Sequence, residues 1–167
     1  MADPITLQRI ETALPAIREA LRAEYLYCNN RLLGKGVRLR FPYVLRTNEE
    51  QAELYAQGRT KPGRKVTNAK PGQSYHNYGL AFDIVLLYDN DGNGTFEEAS
   101  WDRLRDGDGD KRSDWMEVVD FFKSRGWEWG GDFRSFKDYP HFQKTFGYTW
   151  RDLQRMRKDR EGYPILK

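Results

Sequence analysis

Two histidines occur in the 167 residues, and each lies in a segment that also carries carboxylate, glycine and aromatic side chains. The first segment is Ser74-Tyr75-His76-Asn77-Tyr78-Gly79-Leu80-Ala81-Phe82-Asp83. The second is Trp129-Gly130-Gly131-Asp132-Phe133, followed by Asp138-Tyr139-Pro140-His141-Phe142-Gln143. Imidazole and carboxylate are the donors that a catalytic zinc uses, with three protein ligands and a fourth position left to water. Asp83 is the one charge in the apolar run Leu80–Leu87. A carboxylate there is costly to bury unless it is paired or bound to a metal. Taken singly, Asp83 reads as an ion-pair partner and either histidine as a core residue with its hydrogen bonds made. Zinc requires that the fold bring them together. Asp138 stands three residues before His141. If His141 is a ligand, a carboxylate at that offset can reach a water in the fourth position without touching the metal, and can carry its proton. Glu128 and Asp132 are rival carboxylates, and Asp132 also suits a turn after Gly130-Gly131.

The elements around these segments predict a small α+β domain, with a short antiparallel sheet flanked by helices and the zinc site on the sheet. Leu7, Ile10, Leu14, Ile17 and Leu21 form one apolar stripe at helical spacing within a segment from Thr6 to Leu33. Pro15 interrupts it, which predicts a kink or a second helix starting there. Val37–Phe41 alternates as a half-buried strand does. Asn48–Gln57 reads as a helix capped by Asn48 and stopped by Gly58. Residues 59–73 form a loop rich in Lys, Pro and Gly, and Leu80–Leu87 reads as one strand. Trp115–Ser124 is helical, Trp127–Trp129 and His141–Gln143 are strand-like, and Tyr148–Arg160 is a final helix. The whole chain, 1–167, reads as a single domain. It comprises N-terminal helices over 6–33, a core over 37–147, an acidic insertion over 89–114 and a C-terminal helix over 148–160.

Composition narrows the function classes. Apolar residues make 38% of the chain and charged residues 32%, so a packed core is expected rather than disorder. Net charge is only +3, the basic stretch Arg151–Arg160 also holds Asp152 and Asp159, and nothing resembles a nucleic-acid-reading module. Cys28 is alone and falls in the apolar pattern, so it is a core thiol and not half of an intrachain disulfide. Met1-Ala2-Asp3-Pro4 lacks the basic and apolar regions of a signal peptide, and no run is long enough to span a membrane. The expectation is a monomer made in the cytoplasm and released to any outside target by something other than a signal peptide.

The acidic insertion has its own chemistry. Asp89, Asp91, Asn93 and Thr95, with Gly94 between them, match the first half of an EF-hand loop and predict a calcium site. Ser100 occupies the twelfth position, where that loop carries a bidentate Glu. Asp106-Gly107-Asp108-Gly109-Asp110 offers further oxygens nearby. An ordered loop here would bear on the strand carrying Asp83. The alternative is a solvated acidic loop.

The first segment resembles the S-x-H-x-x-G-x-A-x-D signature of the zinc peptidoglycan peptidases. That family contains D-alanyl-D-alanine carboxypeptidases and dipeptidases and phage L-alanyl-D-glutamate endolysins. The second segment is similar to their W-G-G-D-W and D-x-P-H-F-Q pieces. Leu45-Arg46-Thr47-Asn48-Glu49-Glu50-Gln51 through Thr60 is similar to their Y-R-S-x-x-E-Q stretch, and Val66–Lys70 also matches. The likeness runs over about 37–147, with Phe133 in place of a Trp and Leu45 in place of a Tyr. It implies His76, Asp83 and His141 as zinc ligands, Asp138 as general base and acid, and Arg46 beside the scissile carbonyl. It implies Ser74 and Gln51 as holders of substrate polar groups. It also implies hydrolysis of peptidoglycan stem peptides or muropeptides, with the L-Ala-D-Glu bond first and the D-Ala-D-Ala bond second. The family resemblance further implies release by a holin-type or other lysis-dependent route. A cell-wall binding module on the same fold, without catalysis, and a metal-binding signalling or scaffold domain are the remaining readings.

Overall fold

The computed structural model describes residues 1–167. Helix α1 (Pro4–Ile10) opens on Asp3, whose carboxylate caps Thr6 N at 3.2 Å and accepts two bonds from the Arg40 guanidinium at 2.9 Å each. That fork pins the N-terminus to strand β1 (Val37–Arg40). Burial works to raise the Asp3 carboxyl, but the hydrogen bonds from Arg40 and Thr6 overcome it and hold it below the usual range. Pro15 begins a single 3-10 turn, Pro15–Ile17, that leads into α2 (Arg18–Tyr27), so the long segment is two helices as its proline predicts. Cys28 is fully buried, and burial raises its thiol, as expected for a core residue.

Helix α3 (Asn48–Ala56) is capped one residue earlier than the sequence reading placed its cap. Thr47, not Asn48, is the cap: its hydroxyl accepts from Glu50 N while the Glu50 carboxylate accepts from Thr47 N. This reciprocal box satisfies two free amides at once.

The apolar run expected as one strand is two. Strand β2 (Ala81–Asp83) pairs antiparallel with β6 (His141–Gln143), and β3 (Val85–Tyr88) pairs antiparallel with β1. Only Ile84 separates them, so the chain crosses there from one sheet to another. The first sheet runs β1-β3-β4 and the second β2-β6-β5, with β4 (Glu98–Ser100) and β5 (Glu128–Trp129) as the outer strands. Strand β4 lies inside the acidic insertion, where no strand was expected. It pairs antiparallel with β3, Tyr88 opposite Glu98.

Alternation along the second sheet decides which side chains enter the core. Phe82 and Phe142 point inward and stack at 5.1 Å, with Phe41 at 4.2 Å, Trp127 at 4.7 Å and Phe122 at 4.8 Å from Phe82. Asp83, His141 and Gln143 therefore share the opposite face. Burying each ring contributes about 2–3 kcal/mol, so the register that exposes Asp83 and His141 to one another is fixed by the aromatic cluster behind them. Helix α4 (Asp114–Ser124) adds Trp115, Val118, Val119 and Phe122 to the same core.

The C-terminal helix is shorter than expected. Helix α5 (Trp150–Arg155) begins at a Thr149/Asp152 box and ends at Met156. The Lys158 ammonium folds back onto the carbonyls of Leu153, Gln154 and Met156, closing the helix where periodicity alone would have continued it. No helix is long and apolar enough to cross a membrane.

Candidate active site

His76 sits in a 3-10 turn, Tyr75–Tyr78, opened by a Ser74/Asn77 capping box. Gly79 ends the turn at φ 70, and a Cβ there would lie 2.5 Å from Leu14 N, so only glycine closes this corner against the N-terminal segment. Asp83 and His141 are cross-strand partners in the β2/β6 register. Gly130 lets the Asp138 backbone dock against it: a Cβ would meet the Asp138 carbonyl at 2.1 Å. Asp138 N donates to Gly130 O, and His141 N donates to Asp138 O. This turn brings Asp138 Oδ2 to 4.0 Å from His141 Nδ1.

The two imidazoles have defined tautomers. His76 Nδ1 lies 2.8 Å from the Val44 carbonyl, which only accepts, so Nδ1 carries the proton and Nε2 is bare. Gln143 donates its amide to Glu128, leaving its oxygen for His141 Nε2 at 2.8 Å. Nε2 therefore carries the proton and His141 Nδ1 is bare. The bare His76 Nε2 and His141 Nδ1 are 3.2 Å apart, and Asp83 Oδ1 lies 3.0 and 3.4 Å from them. Three electron-pair donors face a common point. A tetrahedral zinc bound at about 2.0–2.1 Å would hold its ligands roughly 3.3–3.4 Å apart, so this donor set fits zinc in both type and spacing.

The charges respond to one another. Burial tends to raise Asp83, but His76 and His141 outweigh it and hold the carboxylate well below its ordinary range. Burial pushes His76 down, whereas Asp83 raises His141 against the same burial effect. Burial and the nearby Asp83 charge raise Asp138, so it holds a proton more readily than an exposed aspartate.

Arg46, His76, Asp83, Asp138 and His141 line one cavity of about 300 Å³, together with Ser74 and the side chains of Tyr43 and Thr67. The Arg46 guanidinium is 3.6 Å from Asp83 Oδ2 and rests over the Tyr43 ring at 4.9 Å, and its Nε has no hydrogen-bond partner in the protein. Gln51 lies behind Arg46. It is fully buried, accepting from Arg46 Nη1 at 3.1 Å and donating to the Ala69 carbonyl at 2.8 Å. Its amide thus joins Arg46 to the loop over 59–73. The rival carboxylates are occupied too, Glu128 with Gln143 and Asp132 with Lys123 at 2.7 Å. The sequence reading missed the orienting roles of Gln143 and Glu128. The signal was present: Gln143 is two residues from His141 on a strand, hence on the same face.

The Asp89 loop lies away from this cavity. Asp89, Asp91 and Glu97 form an acidic group at the surface, and the Asp89 carboxylate accepts from the amides of Gly92, Asn93 and Gly94 within its own loop.

A small α+β domain with a His-Asp-His donor set, a flanking aspartate and a buried arginine has the layout of a metallopeptidase. Residues 17–104 match the VanY D-alanyl-D-alanine carboxypeptidase profile, and residues 67–144 match a second D-alanyl-D-alanine carboxypeptidase profile. The first match covers over half of the chain, and the protein belongs to this D-alanyl-D-alanine carboxypeptidase family. It is 49% identical over 110 residues to the peptidoglycan L-alanyl-D-glutamate endopeptidase CwlK of Bacillus subtilis (strain 168), a stretch covering 66% of this chain and 62% of that protein. It is 31% identical over 116 residues to the L-alanyl-D-glutamate peptidase of Listeria phage A118, covering 69% of this chain and 34% of that one. The similarity thus spans less than two thirds of either relative. The fold resembles that of the Serratia marcescens L-Ala D-Glu endopeptidase ChiX, with a TM-score of 0.54 and 19% identity over 86% of this chain and 88% of that one.

Proposed function

We propose that this protein is a zinc-dependent peptidoglycan peptidase that cuts the L-Ala-D-Glu bond of the stem peptide. The observation that carries the reading is the convergence of three bare donor atoms with Asp138 and Arg46 in one cavity. The choice of bond rests on the two relatives, both named for L-alanyl-D-glutamate cleavage. The extent of this one peptidase domain, 1–167, belongs to the same proposal.

His76, Asp83 and His141 would hold the zinc, which when bound would supply Lewis acidity toward the scissile carbonyl and toward water. Asp138 takes the proton of the attacking water and delivers it to the departing amine. The raised affinity of its carboxyl for a proton suits that transfer. Arg46 donates to the oxyanion that develops on the carbonyl, held in place by Gln51 and by the Tyr43 ring. Ser74 is spent locally, its hydroxyl accepting from His76 N at 3.2 Å while it lines the cavity. It offers its remaining hydrogen to substrate.

Mass spectrometry of defined muropeptides, digested with the zinc-loaded protein, tests the bond. The expected product pair separates L-Ala from the rest of the stem. Release of D-Ala with the L-Ala-D-Glu bond intact would move the enzyme to the carboxypeptidase reaction. Arg46→Lys keeps the charge but loses the planar fork that Gln51 grips. The expected result is a lower turnover number, a nearly unchanged Tm and an unchanged zinc content. A variant with wild-type turnover removes Arg46 from the reaction.

A further inference from the structure

Outside the active site, two buried carboxylate oxygens have no hydrogen-bond partner: Asp114 Oδ1 and Glu117 Oε2. Asp114 is 0% and Glu117 6% exposed. A buried carboxylate is tolerated when it is paired or binds a cation. Both residues lie in the first turn and a half of α4, facing the acidic loop that precedes it. Oxygens of Asp114 lie within 4.8 Å of those of Asp106 and Asp108, and oxygens of Glu117 within 4.8 Å of those of Asp108 and Asp110. Five carboxylates therefore converge around Asp108. The nearest cation, Arg112, is mostly exposed and stands 3.7 Å from the other Glu117 oxygen, too far for a hydrogen bond.

We propose that this convergence is a calcium site, formed by the segment Asp106–Glu117. Asp106, Asp108, Asp110, Arg112, Asp114 and Glu117 fall at positions 1, 3, 5, 7, 9 and 12 of an EF-hand loop. Those positions call for side-chain oxygens at one, three, five, nine and twelve and a backbone carbonyl at seven. Glu117 is the residue at position twelve that the Asp89 loop lacks. Lys111, at the sharp sixth position, has φ 71. The remaining oxygens are tied down by the protein: Asp108 Oδ2 accepts from Gly34 N at 2.7 Å, and Asp114 Oδ2 from Tyr88 Oη and Gly107 N, each at 2.7 Å. The Asp106 carboxylate is fixed by the amides of Gly109, Asp110 and Lys111. An all-oxygen set rich in carboxylate favours a hard ion over zinc, and an irregular loop ending in a bidentate Glu favours calcium over octahedral magnesium. The site differs from the one the sequence suggested at Asp89–Thr95: in both loops the first carboxylate is held by its own loop amides, but only Asp106–Glu117 adds buried carboxylate oxygens without partners, at positions nine and twelve. The proposal does not depend on the peptidase reading. Its consequence is mechanical: the cation ties α4, with Trp115 and Phe122 in the core, to Tyr88 at the end of β3.

The test is calcium titration of the full, zinc-loaded chain in calcium-free buffer, followed by Tm and by terbium luminescence excited through tryptophan. At calcium about a hundredfold above its Kd, Tm is expected to rise by roughly 5–10 °C. Calcium should quench the bound-terbium signal, and magnesium at the same concentration should give a clearly smaller shift. Glu117→Gln should abolish the calcium shift and, in calcium-free buffer, melt no lower than wild type, because it removes a charge from a crowded group. Asp106→Asn, at an exposed position, should abolish the shift as well. Asp91→Ala/Asn93→Ala in the neighbouring loop should keep it. No shift and no terbium signal in the wild type overturns the proposal. So does a shift that survives both Glu117→Gln and Asp106→Asn, or one lost only in the Asp91→Ala/Asn93→Ala variant.

Discussion

Asp138→Asn is expected to retain one zinc per chain and a wild-type Tm while losing roughly 10²–10⁴-fold in turnover. The size follows from what an amide cannot do. Asparagine keeps the shape and the backbone turn through Gly130, but it cannot accept a proton from water at neutral pH. Zinc retention follows from geometry, since Asp138 Oδ2 is 4.0 Å from His141 Nδ1 and lies outside the tight triangle of donor atoms. Turnover by muropeptide release and zinc by elemental analysis separate the two effects. If Glu128→Gln or Asp132→Asn alone produced the loss and Asp138→Asn stayed near wild type, the wrong carboxylate has been assigned. The structure gives a reason to expect otherwise, because Glu128 and Asp132 are engaged with Gln143 and Lys123.

His141→Ala is expected to bind zinc far below one equivalent and to show no measurable cleavage. Loss of an outer partner of a ligand costs about 10–100-fold in metal affinity, and loss of a ligand itself should exceed that. A second readout comes from linkage. Added zinc should raise the Tm of the wild type, because an ion that binds only the folded state stabilises it, and should leave the variant unmoved. His141 is the better test than His76, which is wholly enclosed and hydrogen-bonded to the Val44 carbonyl, so that its removal risks the fold. A His141→Ala protein with full zinc and full activity would sink the ligand assignment.

Much of the candidate site is legible in the chain itself. The two histidines are the only ones present, Asp83 is a lone charge in an apolar run, and Asp138 sits three residues before His141. Period-two alternation carries the rest of that inference: Phe82 and Phe142 belong to a core, so Asp83, His141 and Gln143 belong to the other face. The break at Pro15, the stop at Gly58 and the helix from about 114 to 124 are likewise local matters, written in proline, glycine and apolar spacing.

Tertiary structure decided what local patterns do not contain. Nothing in Leu80–Leu87 announces that the strand divides at Ile84, because both halves are apolar and the division comes from which partners they pair with. The motif around Gln51 does not show that its side chain is buried between Arg46 and the Ala69 carbonyl. Lys158 ends α5 with contacts that periodicity does not reveal. The imidazole tautomers depend on the Val44 carbonyl and on Gln143 held by Glu128, hydrogen bonds that exist only once the sheets are assembled. The cation loop shows the same limit. The spacing from Asp106 to Glu117 is in the sequence, as is the spacing from Asp89 to Ser100. Only packing distinguishes them, because it buries Asp114 and Glu117 without partners and leaves Asp89 and Asp91 at the surface. Sequence sets which groups are available and at what period they recur; burial sets which of them must find a partner, and burial is a property of the whole fold.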